Sequence, residues 1–249
     1  MRHAGDEDFQ LAMKELVSLL RICELWAHSY QTTECPFRAS LLIQFALTPV
    51  ARLLRSLNSD QIASFLAELE QIEPLPIASK VINDQRLFVL DQFLVMWEGR
   101  DGFFFRSDEV ASLIGLNGDY VKSVDPNSGL ETINRWFDGI VLEEKLGQVS
   151  AQFPQAARSS LPTLSSPKDR GNVLADSLLD EYEKSLKYQL WTINKARISL
   201  TSVRVQAGLE SHRLSHGRYP ASLSGIVTPA VLDSVATYRS ASKLSLIHI

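Results

Sequence analysis

Cysteine is scarce in this chain, which has only Cys23 and Cys35 among its 249 residues. Two cysteines are too few for a disulfide scaffold, and neither lies in a CxxC or Cys/His spacing of the kind that binds zinc. Cys23 falls on an apolar helical row, so we expect it to be a small buried hydrophobic residue rather than a ligand. The sequence therefore gives no indication of a cysteine-based framework or metal centre.

Motifs for catalysis and nucleotide binding are absent as well. The chain contains no GxxxxGKS/T, GxGxxG, HExxH or GxSxG motif and no EF-hand loop. Asp138, Glu143 and Glu144 fall on the polar side of an amphipathic segment, which is typical of a solvated face and not of an acid/base pair. We therefore predict no catalytic residue and no cofactor, and we assign no enzyme class.

Positive charge is too low for a general nucleic-acid binder. The net charge is -4 and the isoelectric point is near 5.8, which argues against binding to nucleic acid or to an anionic membrane. Tyr188 and Trp191 are aromatic residues of the kind that stack on bases, but Asp180, Glu181 and Glu183 precede them and would repel phosphate. We expect a protein partner and no nucleic-acid partner.

The chain also lacks an uninterrupted apolar run of membrane-spanning length. Its most apolar stretch, 39–54, contains Gln44, Pro49 and Arg52, whereas a spanning helix needs about 20 predominantly apolar residues. We interpret this stretch as a buried core helix. The residues that follow Met1 include no apolar segment of the kind found in a signal peptide.

Amphipathic helical periodicity, in contrast, is present along most of the chain. Apolar residues three or four positions apart predict helices over about 6–29, 37–57, 59–72, 77–98, 107–114 and 129–146. Pro49 should kink the second helix, and Asn58 with Gln61 should form a capping box at the start of the third. We therefore predict an all-α fold whose antiparallel helical hairpins or bundle form a domain over residues 1–146.

Residues 147–171 differ in composition from the rest of the chain. They are rich in Gln, Ser, Ala and Pro and show no helical period, which predicts a linker. A long helix should then run from about Asn172 to His216, with a break near Asn194 as an open alternative. This helix and the turn after it form a third region, 172–235, and the tail 236–249 is expected to be disordered or artefactual.

The C-terminal half of the long helix has the clearest pattern in the chain. Its apolar row is interrupted only by Glu210 and consists of Ile193, Ala196, Leu200, Val203, Ala207 and Leu214. Gly217 should take the left-handed conformation that ends a helix. Tyr219 should be extended before Pro220, and Pro220 should begin a short terminal helix through Ile226. We predict structural roles for Gly217, Tyr219 and Pro220.

His212 and His216 are the only candidate metal ligands. They lie four residues apart and share a helix face, which is the spacing of a two-histidine metal half-site. No third ligand is evident in the sequence. The alternative is that His216 simply stabilises the negative end of the helix dipole.

The segment LESHRLSHGRYPASLSGIVTPAVL, from Leu209, resembles the segment that closes many long, uncharacterised proteins of planctomycete-type bacteria. It also loosely resembles the helix exit of type II secretion pseudopilins. The stretch LVSLLRICELWAHSYQTTECPFRASLLIQFALTPVARLL is similar to the helical middle of the same bacterial proteins. His212 stands where the closing segment usually has Tyr, and TYRSASKLSLIHI replaces its Asp-Pro-Phe-Gly ending. The resemblance implies an envelope-associated helical protein.

Three function classes follow as expectations. The leading one is a non-enzymatic helical scaffold or interaction protein of a bacterial envelope. The alternatives are a hydrolase or metal-dependent enzyme whose site is assembled only in three dimensions, and a component of a secretion or pilus apparatus. Because LSLIHI at residues 244–249 resembles a translated sequencing adapter, we expect a metagenomic fragment that is truncated at its C-terminal end. The resemblance to the bacterial proteins implies a longer protein with a membrane anchor in an N-terminal part that this chain lacks.

Overall fold

The computed structural model describes residues 9–28, 34–72, 75, 78–102, 105–106, 109, 123–142, 151–154 and 166–223. These residues form seven helices and one pair of two-residue strands, which confirms the predicted all-α fold. The helices are α1 (Phe9–Ala27), α2 (Glu34–Leu47), α3 (Val50–Leu54), α4 (Ser59–Glu70), α5 (Ala78–Trp97), α6 (Pro126–Asp138) and α7 (Pro167–His216). Strands β1 (Val141–Leu142) and β2 (Ala151–Gln152) pair in antiparallel register.

Local sequence signals set several of the helix ends. The backbone N–H of Gln61 donates to Asn58 Oδ1 at 2.9 Å, and the backbone N–H of Asn58 donates to Gln61 Oε1 at 2.9 Å. This is the predicted capping box of α4. Pro49 separates α2 from α3, because its ring nitrogen has no hydrogen to donate to the preceding turn.

The described residues divide into two compact units. Unit 1 contains the described parts of Met1–Pro76 and Leu190–Ile249, and unit 2 contains those of Ile77–Glu143 and Ser150–Gln189. Helix α7 therefore contributes its N-terminal part to unit 2 and its C-terminal part to unit 1.

Unit 1 is built around one apolar core to which α1, α2, α3, α4 and α7 all contribute. Leu16 and Leu20 of α1 lie in the same buried cluster as Ile62 of α4 and Leu200 of α7. Cys23 is fully buried in this cluster, as its position on an apolar row predicted. The apolar row of α7 is buried from Ile193 to Ala207, whereas Leu214 is exposed.

In unit 2, α5, α6 and the N-terminal part of α7 pack closely against one another. A Cβ atom on Gly129 would lie 2.0 Å from Cζ of Phe93, so α6 approaches α5 more closely there than any side chain would allow. The rings of Phe88 and Phe137 lie 6.2 and 6.4 Å from that of Tyr182, a residue of α7. The Ser128 hydroxyl also donates to the Lys168 carbonyl oxygen at 3.1 Å.

The boundaries of these elements differ from the predicted ones. Helix α7 begins at Pro167 because the Ser166 hydroxyl accepts from the Asp169 backbone N–H at 3.1 Å and proline suits the first helical position. The last five residues of the predicted linker are therefore helical, and Ala151–Gln152 forms a strand. The long helix is continuous, so the alternative of a break near Asn194 is wrong.

Helix α6 begins and ends earlier than predicted. It starts at Pro126, where Asp125 Oδ1 accepts from the Asn127 backbone N–H at 3.1 Å, and it stops at Asp138 before Gly139. Pro220 to Ser222 are not helical, so the short terminal helix does not begin at Pro220, and its part beyond Leu223 lies outside the described residues. The helix predicted over 107–114 and the tail 236–249 also fall on residues that are not described, Glu109 excepted.

The α2–α3 stretch is more apolar than its interruptions at Gln44, Pro49 and Arg52 indicated. Within the described residues, Cys35–Leu54 has the length and composition of a membrane span, with a mean hydropathy of 1.3. Length and composition alone do not distinguish such a span from a core helix, and 44% of its most apolar window is buried inside the protein. Its buried face lies in the core of unit 1, in agreement with our interpretation of a core helix.

Candidate functional site

Glu210 is the centre of a polar cluster at the C-terminal end of α7. Its side chain is only 7% exposed, and both carboxylate oxygens are occupied. The Tyr219 hydroxyl donates to Oε1 at 2.7 Å, and Arg213 Nε donates to Oε2 at 2.6 Å. Glu210, which interrupts the apolar row of α7, is thus the residue that Tyr219 contacts after the chain has turned back at the end of the helix.

The turn at Gly217 makes this return possible. Gly217 has a φ of 69°, the left-handed conformation predicted for it, and its N–H donates to the Arg213 carbonyl oxygen at 2.8 Å. No atom lies within 4 Å of where its Cβ would be, so glycine is needed for its conformation and not for space. Tyr219, two residues later, is thereby placed beside Glu210.

The electrostatics of the cluster favour a fixed structural role. Burial alone would raise the pKa of Glu210, but the hydrogen bonds from Tyr219 and Arg213, with the charges of Arg213 and Arg55, bring it below its usual range. The hydrogen bond to Glu210 raises the pKa of the Tyr219 hydroxyl, which stays protonated. A carboxylate with both oxygens occupied and a lowered pKa is poorly suited to act as a general base.

His212 and His216 lie together as their spacing predicted. Their rings stack with centroids 4.0 Å apart, and both side chains are on the solvent-facing end of α7. Nδ1 of His212 lies 3.1 Å from the Arg218 carbonyl oxygen, and Nδ1 of His216 lies 3.1 Å from that of His212. Across the described ranges, no group of three or more His, Cys, Asp or Glu side chains is placed to hold a metal. The two imidazoles therefore form at most half of a metal site.

Two further ionisable groups of α7, Asp176 and Arg204, are half-buried, which the sequence did not predict. Burial, followed by the charge of Asp180, raises the pKa of Asp176 to about 6. Arg204 donates from Nη2 to the carbonyl oxygens of Leu69 at 2.7 Å and Ile72 at 3.3 Å, which caps the end of α4. Burial lowers the pKa of Arg204, against the opposing charge of Glu70. Arg204 thus has a clear structural use.

Helix α1 is apolar on its outer side as well as on its core side. Ala12, Leu16, Leu20 and Cys23 are buried, yet four large apolar side chains on the opposite side are exposed. These four residues, here named the outer α1 row, are Leu11 (38% exposed), Leu19 (37%), Ile22 (60%) and Leu25 (73%). The signal was present in the sequence, because apolar residues of LAMKELVSLLRICELW fall on both sides of a helix.

Comparisons with protein-family models, with curated proteins and with solved structures found no match. The resemblance to planctomycete-type proteins therefore remains a prediction from the two segments that carry it. In the described residues, the polar cluster at Glu210 is structural, and the outer α1 row is an exposed apolar surface.

Proposed function

We propose that this protein is a helical scaffold that binds a partner protein through the outer α1 row. The observation that carries the proposal is the exposure of Leu19, Ile22 and Leu25, which follow one another at three-residue spacing along one side of α1. A surface helix normally presents polar residues on the side away from the core. We therefore expect the large apolar residues of this outer side to be covered by a partner.

The side chains of the outer α1 row are large enough to provide most of the free energy of binding to a partner. Complete burial of one exposed leucine or isoleucine side chain favours association by about 1.5–3 kcal/mol. A few such residues dominate the affinity of most protein interfaces. Ile22 and Leu25, which lose the most exposed area on being covered, are the expected anchors.

The charges beside the row indicate how a partner is oriented. Lys14, Arg21 and His28 are seven residues apart and lie along one flank of the row, whereas Glu15 and Ser18 lie within it. Arg21 is already engaged by Glu68 of α4 and by Gln71, which follows that helix. The arrangement fits an amphipathic partner helix whose apolar residues meet Leu19, Ile22 and Leu25 and which has an acidic residue facing Lys14.

A display library of amphipathic helical peptides tests this proposal. Peptides are selected on the wild-type chain and then measured against Ile22→Asp/Leu25→Asp. The control is Leu87→Asp, at a leucine of α5 that is 68% exposed and distant in sequence. We expect selected peptides that bind the wild type and Leu87→Asp alike and lose at least tenfold in affinity for the double variant. Peptides that bind all three equally, or a library that yields none, would contradict it.

The segment from Leu209 supports an extension of the proposal, namely that the scaffold belongs to a bacterial envelope. A pseudopilin requires a lone helix that packs on a small sheet. The described part of α7 instead packs among helices in both units. Sequencing of the gene on both sides of this chain tests the envelope proposal. An added N-terminal apolar span and a C-terminal Asp-Pro-Phe-Gly segment would support it, and flanking sequence without either would contradict it.

A further inference from the structure

The last turns of α7 present two imidazole rings side by side. His212 and His216 are four residues apart, and their rings stack with a centroid distance of 4.0 Å and an angle of 23° between the ring planes. Residues four apart share one face of a helix, so the helix itself brings the two rings together. His212 is half-buried and His216 is exposed, so the pair is open to solvent. The proposed function does not use this pair.

Both rings are oriented by hydrogen bonds through the same ring nitrogen. Nδ1 of His212 lies 3.1 Å from the Arg218 carbonyl oxygen, and Nδ1 of His216 lies 3.1 Å from that of His212. A carbonyl oxygen can only accept, so each Nδ1 carries the hydrogen, and the lone pair of the neutral imidazole is then on Nε2. Histidines that bind metals are usually fixed in this way, with one nitrogen donating to an oxygen and the other left for the metal.

The turn after the helix sets the orientation of the first ring. Gly217 turns the chain back with its φ of 69°, and Arg218 follows it. Tyr219 then holds the returning chain to Glu210 by its hydrogen bond of 2.7 Å. The Arg218 carbonyl oxygen is thus placed beside His212 by contacts within the chain. A pair that is oriented in advance loses less conformational freedom when it binds a ligand.

We propose that His212 and His216 together bind one divalent transition-metal ion through their Nε2 atoms. Imidazole nitrogen suits Ni²⁺, Cu²⁺ and Zn²⁺, whereas Mg²⁺ and Ca²⁺ prefer oxygen ligands. Two nitrogens that bind one ion at about 2.1 Å each are at most about 4.2 Å apart, which is compatible with ring centroids 4.0 Å apart.

The proposed site is an open one. Within the described residues, no third His, Cys, Asp or Glu side chain is placed to join the pair, so water fills the remaining coordination positions. An ion held by two protein ligands exchanges with solution, in contrast to one enclosed by the four protein ligands of a structural site. The inference is independent of the proposed function, which concerns α1.

Thermal unfolding of the full chain, produced without an affinity tag, tests the proposal in titrations with NiCl₂ and, separately, MgCl₂. The two rings meet only in the folded helix, so an ion bound by both raises the melting temperature, whereas an ion that binds the folded and unfolded chain alike does not. The variants are His212→Asn, His216→Asn and the double variant, because asparagine retains an N–H donor near the position of Nδ1 but lacks Nε2. The matched control is His28→Asn in unit 1, where no second histidine is close in sequence. Circular dichroism verifies that each variant retains the wild-type helical signal.

We expect the melting temperature of the wild type and of His28→Asn to rise by about 3–5 °C once Ni²⁺ is about tenfold above its dissociation constant. Each single variant should lose most of this rise, and the double variant should lose all of it. A wild type that shows no rise, or a double variant that shows the same rise, would overturn the proposal. So would a loss in only one of the two single variants, which would make a single imidazole the ligand, and so would an equal rise in MgCl₂.

Discussion

Tyr219 fixes the end of α7 by donating its phenolic hydrogen to the buried Glu210 carboxylate at 2.7 Å. We expect Tyr219→Phe to lower the free energy of unfolding of unit 1 by about 1 kcal/mol, because the bond has a charged acceptor but Tyr219 is partly in solvent. Urea denaturation measures the change. In the Glu210→Gln background the amide oxygen still accepts the bond but has no charge, so the same substitution should cost less. An equal cost in both backgrounds would show that the charge of Glu210 does not strengthen the bond.

Asp176 is the residue whose ionisation should limit the stability of unit 2. Its pKa is about 6 in the folded chain and 3.8 ordinarily, so the folded state holds the proton more tightly than the unfolded state. Its contribution to stability is therefore fully present below pH 3.8 and is lost as the pH rises towards about 6. The loss is constant above that pH.

Asp176→Asn should consequently stabilise the protein at neutral pH. We expect a gain of about 1 kcal/mol at pH 7, less than the pKa change alone implies, since the side chain is only partly buried and water screens it. Melting curves across the pH range test this. The advantage should vanish in acid, and Asp91→Asn at an exposed position of α5 should show no such trend. An advantage that does not change with pH would exclude the ionisation of Asp176 as its cause.

Roles of single polar residues were the least predictable part of this protein. Glu210 and Asp176 both lie in sequence among apolar residues, and the sequence indicates that such residues will be near a core. Whether a carboxylate there finds donors, as Glu210 does, or a second carboxylate, as Asp176 does, depends on residues brought near by the fold. The conformation of Gly217 was predictable, because it is a local property of a helix end.

Close approach of α7 to the start of α6 depends on a glycine. A Cβ on Gly171 would lie 2.3 Å from the Asp125 carbonyl oxygen and 2.3 Å from the Ser128 hydroxyl. Gly171→Ala should destabilise unit 2 by about 2 kcal/mol, because backbone atoms must move to admit the methyl group. A Cβ on Gly102 would meet its two nearest atoms, Met96 Cγ and Gln92 Oε1, at 3.2 and 3.4 Å, which is close to ordinary contact, so Gly102→Ala should cost much less than Gly171→Ala. Chemical denaturation that finds the two equal would refute the close approach.

The core of unit 1 depends on the C-terminal part of α7. Leu200 is 5% exposed within the buried cluster, whereas Leu214 on the same helix is 38% exposed. Leu200→Asp should unfold unit 1, since an unpaired buried charge costs several kcal/mol, and Leu214→Asp should be nearly neutral. Thermal unfolding followed by circular dichroism separates them. An unchanged melting temperature for Leu200→Asp would mean that the row is not buried.

The presence of a helix could be predicted from the sequence more reliably than its first and last residues. Periodicity predicted all the helical stretches that are described, although α2 and α3 were predicted as one helix with a kink at Pro49. The Asn58–Gln61 pair marked the start of α4. The starts of α6 and α7 were placed too late because Asp125-Pro126 and Ser166-Pro167 were taken for loop residues. Each pair is a capping residue followed by a proline at the first helical position, so the signal was local and available.

The change in composition at 147–171 predicted a division of the chain there. Contacts instead group the described residues into two units that each combine early and late parts of the chain. Composition reports where a segment lacks apolar residues, but not which distant segments will pack together. The continuous helix α7, which serves both units, is the reason that a boundary along the sequence does not describe this fold.

The set of apolar side chains that stay exposed depends on the whole fold, because exposure is known only once the core residues have packed. Of the twelve large apolar side chains exposed in the described part of the chain, six lie on α1 and α2. Four of these form the outer α1 row. Their concentration on the first helices of unit 1 is the basis of the scaffold proposal.

Photo-cross-linking from position 22 tests that proposal most directly. A photoreactive amino acid replaces Ile22 in one protein and Leu87 in another, and each is produced as the full chain in cells where the gene is native. Both side chains are well exposed, at 60% and 68%, so chance collisions should label them equally. We predict a discrete protein adduct from position 22 and none from position 87. The same adducts from both positions, or none from either, would contradict a binding role for α1.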